Sequence, residues 1–268
     1  MSDKATRHLL YLIFAGMIVF LSCAQAPAIN LPENKFTKGH FTVYYGKDGG
    51  FAQQVYLKAE YYYQQILRHL GIQGFRPWEG ADKCTIAIFR AQDKLEDETK
   101  ALPWMCGKAL KEERMIATCY KAPKIFERII PSELTKLLIW EYFGSMDPPL
   151  WLTEGMAQYE EAETFDYSYK KLAMKKARSR VNFDLDTLFS ISAVPEKKEE
   201  ADSFRAQAAS LVDYLRTLVP PSQFSQFVVG LRKGGTIEEG LSVAFRGKFP
   251  KGVSDLEKRW LAYIQTKY

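Results

Sequence analysis

The sequence predicts an α+β fold, a small N-terminal α/β sheet lobe followed by a mainly helical C-terminal lobe, and three observations carry that expectation. Strand-like alternation and short apolar runs are confined to the stretch before residue 121, whereas all but one of the amphipathic helical segments follow it. Apolar residues make up 47% of the 268 and aromatic residues 14%, enough for the core of one large domain. Lys and Arg number 37 against 32 Asp and Glu, and this net charge of +5 is scattered rather than gathered in a basic stripe. A nucleic-acid partner is therefore not expected.

Residues 1–26 read as an export signal: Lys4 and Arg7 precede an apolar run over 9–21, and Ser22-Cys23-Ala24-Gln25-Ala26 supplies the small residues of a cleavage region. The run is short for a transmembrane helix. Cleavage after Ala24, Ala26 or Ala28 is open, and the alternatives are lipid attachment at Cys23 or a retained anchor. A periplasmic or extracellular location follows, with membrane contact only through the signal or a lipidated Cys23.

The domain proper spans 36–268, divided into 36–120 and 121–268. Phe41-Thr42-Val43-Tyr44-Tyr45 alternates as a strand and stops at the turn cluster 46–50. A helix over 52–70 follows from Ala52, Val55, Ala59, Tyr62, Ile66 and Leu70 at three- and four-residue steps, ended by Gly71. Residues 84–89 (CTIAIF) and 114–120 (RMIATCY) read as strands, joined by a polar, mobile-looking segment over 91–111. Helices are expected over 131–143, 151–163, 203–219, 222–231, 237–245 and 254–266, with a charged loop at 194–200. Of the cysteines outside the signal, Cys84, Cys106 and Cys119, the last two flank a segment that can fold back and are the favoured disulfide pair; three small buried hydrophobes is the equal alternative.

The chemistry lies in the centre, where PSELTK at 131–136 precedes PPLWLTEGMAQYEE at 148–161. Read alone, Pro131-Ser132-Glu133 is an ordinary helix start, and Glu160, Glu161 and Glu163 form a solvated face. The string WLTEGMAQYEE, however, closely resembles the W-L-x-E-G-x-A helix of gluzincin zinc peptidases, and SELTK stands where those enzymes carry H-E-x-x-H. The order of the other elements is similar to that of the bacterial peptidase-MA-like domains, exported proteins with this arrangement. Their closing L-E-x-x-W helix is matched at Leu256, Glu257 and Trp260. The resemblance implies a thermolysin-like two-lobed fold. It assigns Glu133 to the general-base position, Glu154 to the third zinc-ligand position, and Ser132 and Lys136 to the two histidine positions.

Those two departures remove the imidazoles. Lysine offers three donors and no lone pair at neutral pH, and the only histidines are His8, His40 and His69, none spaced to restore a site. No zinc is expected. The resemblance then implies an inactive pseudopeptidase whose cleft still binds a peptide or an envelope protein along an edge strand. Arg114, Ile116 and Thr118 of the 114–120 strand, with Trp151, are the expected rim. The alternatives are an active hydrolase using Glu133 and Glu154 with an atypical metal site, zinc included, and a purely structural envelope domain. On a helix Ser132 and Lys136 share a face, and because the resemblance puts that face and Glu154 around one metal position, it implies that Lys136 reaches Glu154 to within about 4 Å and takes the cation's place.

Overall fold

A computed structural model describes residues 29–72, 74–164, 175 and 183–266. The expected export signal, with Cys23, lies outside the described residues. Residues Leu31–Tyr268 form one compact unit. No helix among the described residues is long and apolar enough to cross a membrane.

The fold is mixed α+β. Five strands, β1 (Asn34–Lys38), β2 (Phe41–Tyr45), β3 (Cys84–Phe89), β4 (Gly107–Leu110) and β5 (Met115–Cys119), form one sheet in the order β1-β2-β3-β5-β4. Pairing is antiparallel at both ends and parallel at β2–β3 and β3–β5. The parallel β2–β3 step requires a crossover, which α1 (Gly49–Leu70) supplies. Asp48 caps α1 by accepting from Phe51 N–H at 2.9 Å, and Gly71 ends it with φ of +66°. A side chain at Gly71 would also meet the Pro221 carbonyl, so glycine is required there twice over.

Phe41, Val43, Cys84, Ile86, Ile88, Ala109 and Ile116 belong to the main core with α1 and with α3 (Ile130–Phe143). On the opposite side α2 (Gln92–Thr99) packs on β3, β4 and β5 and buries Leu95. The rest of the chain is helical: α4 (Leu150–Thr164), α5 (Leu185–Ser190), α6 (Lys198–Leu218), α7 (Pro221–Arg232), α8 (Ile237–Ala244) and α9 (Val253–Thr266). Their core is built on the fully buried Trp151, Phe204, Phe224, Phe227, Phe245 and Trp260. Helices α4 and α6 meet at Gly155, where an added Cβ would lie 2.7 Å from the Ala208 carbonyl oxygen. That contact fixes the relative height of the two helices that carry Glu154 and Arg205.

Several expectations need correction here. The 91–111 segment is not a loop: it holds α2 and β4, which the sequence hides because only Leu95 and Thr99 of α2 are buried and β4 is four residues long. Helix α6 begins at Lys198, inside the expected charged loop. Strand β5 is not at an edge; it lies between β3 and β4, and β4 is the free edge beside α3. The Cys106–Cys119 disulfide is not formed, and Cys84, Cys106 and Cys119 are free thiols. Cys84 and Cys119 are buried, and burial pushes both thiols up from the usual cysteine range.

Candidate functional site

Helix α3 continues from a π-helical turn, Ile125–Ile129, and Ile129 is already helical at φ −68° and ψ −51°. Glu133 therefore does not serve a free helix start. Its Oε2 accepts instead from the Ala109 N–H of edge strand β4 at 2.8 Å, joining helix to sheet. Gly107, two residues earlier, lets β4 come close to the turn, since a Cβ there would lie 2.2 Å from Ile129 Cγ2.

Ser132 and Lys136 lie one helical turn apart on one face, and Glu133 borders it. Helix α4 packs on α3 and brings Glu154 to the same cavity. Lys136 Nζ donates to Glu133 Oε1 at 3.1 Å and lies 3.2 Å from Glu154 Oε1, inside the expected limit. The second oxygen of Glu154 receives a hydrogen bond from Arg205 Nε of α6 at 2.7 Å. All three members of the inner cluster are nearly sealed, with Lys136 4% and Glu154 6% exposed.

The charges explain one another. Burial alone would lower the Lys136 ammonium, but Glu133 and Glu154 outweigh that, against opposition from Arg205, and hold it above its ordinary value. Burial would likewise raise the Glu154 carboxyl, yet Lys136 and Arg205 together pull it down to about 2. Burial works against the Arg205 guanidinium too, and Glu154 reverses it. The cluster is thus a chain of fixed charges at neutral pH. It offers no general acid at Glu154, and Lys136 has no free lone pair with which to activate the Ser132 hydroxyl.

These groups line a cavity of about 230 Å³ together with Trp104, Cys106, Gly107, Arg128, Gln158, Glu161, Lys198 and Asp202. Around its mouth Arg128 Nε pairs with Glu161 at 3.0 Å, Lys198 with Asp202 at 2.6 Å, and the Arg205 guanidinium lies 5.3 Å from the Trp104 ring. A zinc ion, which the family resemblance implies, does not fit this donor set. Both acids face an ammonium, Glu154 faces a guanidinium as well, and no group of three His, Cys, Asp or Glu side chains is gathered among the described residues.

Ser132, Glu133, Lys136 and Glu154 are therefore brought together, and the expected rim is not. Trp151 is 1% exposed and packs on Phe189 and Phe227 in the helical core. Ile116 and Thr118 are fully buried because β5 is an interior strand, and Thr118 Oγ1 donates to the Cys106 carbonyl. Arg114 sits in a turn at φ +48° and pairs with Glu141, away from the cavity.

Glu160 and Glu161 do not form a solvated face. Glu160 is 1% exposed and is held by His69 Nδ1 at 2.9 Å, and Glu161 accepts from Arg128 and Gln158; the Glu163 side chain lies outside what is described. His40 is likewise engaged, with Glu60 at 2.8 Å, and neither histidine lines the cavity. The residue that sequence reasoning missed is Arg205, and its signal was a single cation in the small apolar run Phe204-Arg205-Ala206-Gln207-Ala208-Ala209. Compared with known proteins, the chain matches no family model and no curated sequence.

Proposed function

We propose that the protein is an exported, catalytically inactive gluzincin-like pseudopeptidase whose cleft binds peptide or protein. The observation that carries the reading is the seat of Lys136 Nζ, 3.1 Å from Glu133 and 3.2 Å from Glu154. The two acids that the resemblance assigns to base and zinc ligand share a tethered organic cation. Lysine, with Arg205 on Glu154, balances their charge but supplies no Lewis acid and no activated water. The element order, a sheet with its long helix, then the SELTK helix, the WLTEG helix and a helical tail, is in keeping with the two-lobed gluzincin arrangement.

Binding outlives such a loss because pairing to a strand edge needs no metal. Here the edge is β4, not the 114–120 strand. Glu133 already takes the Ala109 N–H, so a bound segment meets the edge at Gly107. The test is metal analysis of the purified protein with a peptide-cleavage and peptide-retention assay, repeated on Glu133→Gln. Retention without stoichiometric zinc or cleavage is expected. Bound zinc with cleavage abolished in Glu133→Gln would overturn the inactive reading, and an intact N-terminus on protein found wholly in the cytosol would overturn export.

A further inference from the structure

The carboxylates that line the cavity are all engaged, whereas some of its donors are not. Glu133 accepts from Ala109 and Lys136, Glu154 is held by Lys136 and Arg205, Glu161 by Arg128 and Gln158, and Asp202 by Lys198. Arg205 spends only Nε on Glu154; among the described residues, nothing accepts from its Nη1 or Nη2. The Ser132 hydroxyl has no hydrogen-bond partner among the described residues either, and it lines the same cavity. On β4 the Ala109 N–H points away from β5, to Glu133, so Gly107, in phase two residues earlier, turns its own N–H to that free edge.

We propose that this cavity receives the free C-terminal carboxylate of a peptide, gripped by the open guanidinium edge of Arg205 with Ser132 and the Gly107 N–H as the flanking donors. The inference rests on the cleft-binding reading above and names the group that the cleft recognises. Three physical points favour it. A guanidinium edge with two free nitrogens matches a carboxylate in a paired, planar geometry, and the Trp104 ring, 5.3 Å from the guanidinium carbon, flanks it. At about 230 Å³ the cavity is smaller than the roughly 300–1,000 Å³ of ordinary small-molecule pockets, which suits one chain terminus rather than a whole ligand. The lining cations Arg128, Lys136, Lys198 and Arg205 are balanced by Glu133, Glu154, Glu161 and Asp202, so the wall holds no surplus positive charge and a singly charged group costs less to seat than a doubly charged phosphate.

The experiment passes a random hexapeptide library, half with free C-termini and half amidated, over the immobilised full chain and reads retention by mass spectrometry. Free-acid peptides should be retained at least about tenfold better than their amidated counterparts, as charge-assisted hydrogen bonds require. Arg205→Lys, which keeps a cation on Glu154 but loses the fork, should erase that preference while circular dichroism and thermal unfolding show the fold retained. Ser132→Ala should reduce it by a smaller factor. Equal retention of both halves would overturn the carboxylate assignment and leave the cleft reading standing. No retention of either half would overturn the cleft reading itself. Displacement of the free-acid peptides by millimolar inorganic phosphate would show a general anion site and refute the peptide terminus.

Discussion

Replacing Lys136 by methionine tests the logic of the buried cluster most directly. The substitution keeps the length of the apolar stem and deletes a charge that is 4% exposed. Breaking a buried pair by removing one partner costs about 3–5 kcal/mol. The two orphans differ, however. Glu154 keeps Arg205 at 2.7 Å, whereas Glu133 keeps only the Ala109 N–H. Glu133 is therefore the acid left poorly compensated, while Arg205 still neutralises Glu154, which places the loss at the lower end of that range.

We expect Lys136→Met to lose about 3 kcal/mol at pH 7, a fall in Tm of roughly 6–12 °C for a domain of this size. Adding Glu133→Gln should restore most of the stability, because glutamine still accepts from Ala109. Adding Glu154→Gln should not, because it strands Arg205. Urea unfolding of the four proteins at pH 7 measures all of this. A neutral or stabilising Lys136→Met, or a rescue by Glu154→Gln and not by Glu133→Gln, would refute the reasoning.

The Glu154 carboxyl, held down to about 2 by Lys136 and Arg205, is depressed in the folded state, so its contribution is complete above its ordinary value of 4.5 and is lost as pH falls towards 2. It amounts to about 3 kcal/mol, and acid unfolding of Glu154→Gln should lack that portion of the slope. Gly155→Ala should destabilise by about 1–3 kcal/mol in spite of its better helix propensity, because the new Cβ meets the Ala208 carbonyl oxygen at 2.7 Å; unchanged urea unfolding would show that α4 and α6 can separate freely. Ser132→His with Lys136→His should give at most weak zinc binding by calorimetry while Arg205 stays on Glu154, and tighter binding once Arg205→Ala is added.

How much of this was legible in the sequence follows from where each signal comes from. Strands β2 and β3 have the expected bounds because half-buried and buried strands announce themselves by alternation and by apolar runs. Strand β1 is missed because its residues NKFTK are mostly exposed, and β4 because GKAL carries too little apolar pattern to outweigh its glycine. The contact between Lys136 and Glu154 follows from helical phase, which puts Lys136 on the face of Ser132, together with the family resemblance, which assigns that face and Glu154 to one site. The sharing of Lys136 with Glu133 does not, because it needs the lysine to lie back over its own helix. Trp151 was misassigned for a similar reason: a tryptophan next to a functional acid reads as a rim, but the turn of α4 that presents Glu154 to the cavity sends Trp151 into the core. Arg205 belongs to a helix some fifty residues further on, and only tertiary packing brings it to Glu154.

A last substitution separates a binding role from a structural one for the whole cluster. Buried ionic groups are a weak source of stability, and replacing a complete set by uncharged residues of similar volume is often neutral or stabilising by about 1–4 kcal/mol. In the combined variant Glu133→Gln, Lys136→Met, Glu154→Leu and Arg205→Met no charge is left unpaired, and glutamine still accepts the Ala109 N–H. If the cluster serves recognition, this variant should unfold at or above the wild-type urea midpoint and yet retain no peptide. If the charges instead hold α3, α4 and α6 in register, the midpoint should fall by several kcal/mol equivalents. Retention that persists with all four charges gone would show that the cleft grips its ligand elsewhere. The three outcomes are distinct because the cost of burying the charges is borne by the fold, while the use of the donors left over is read only by a ligand.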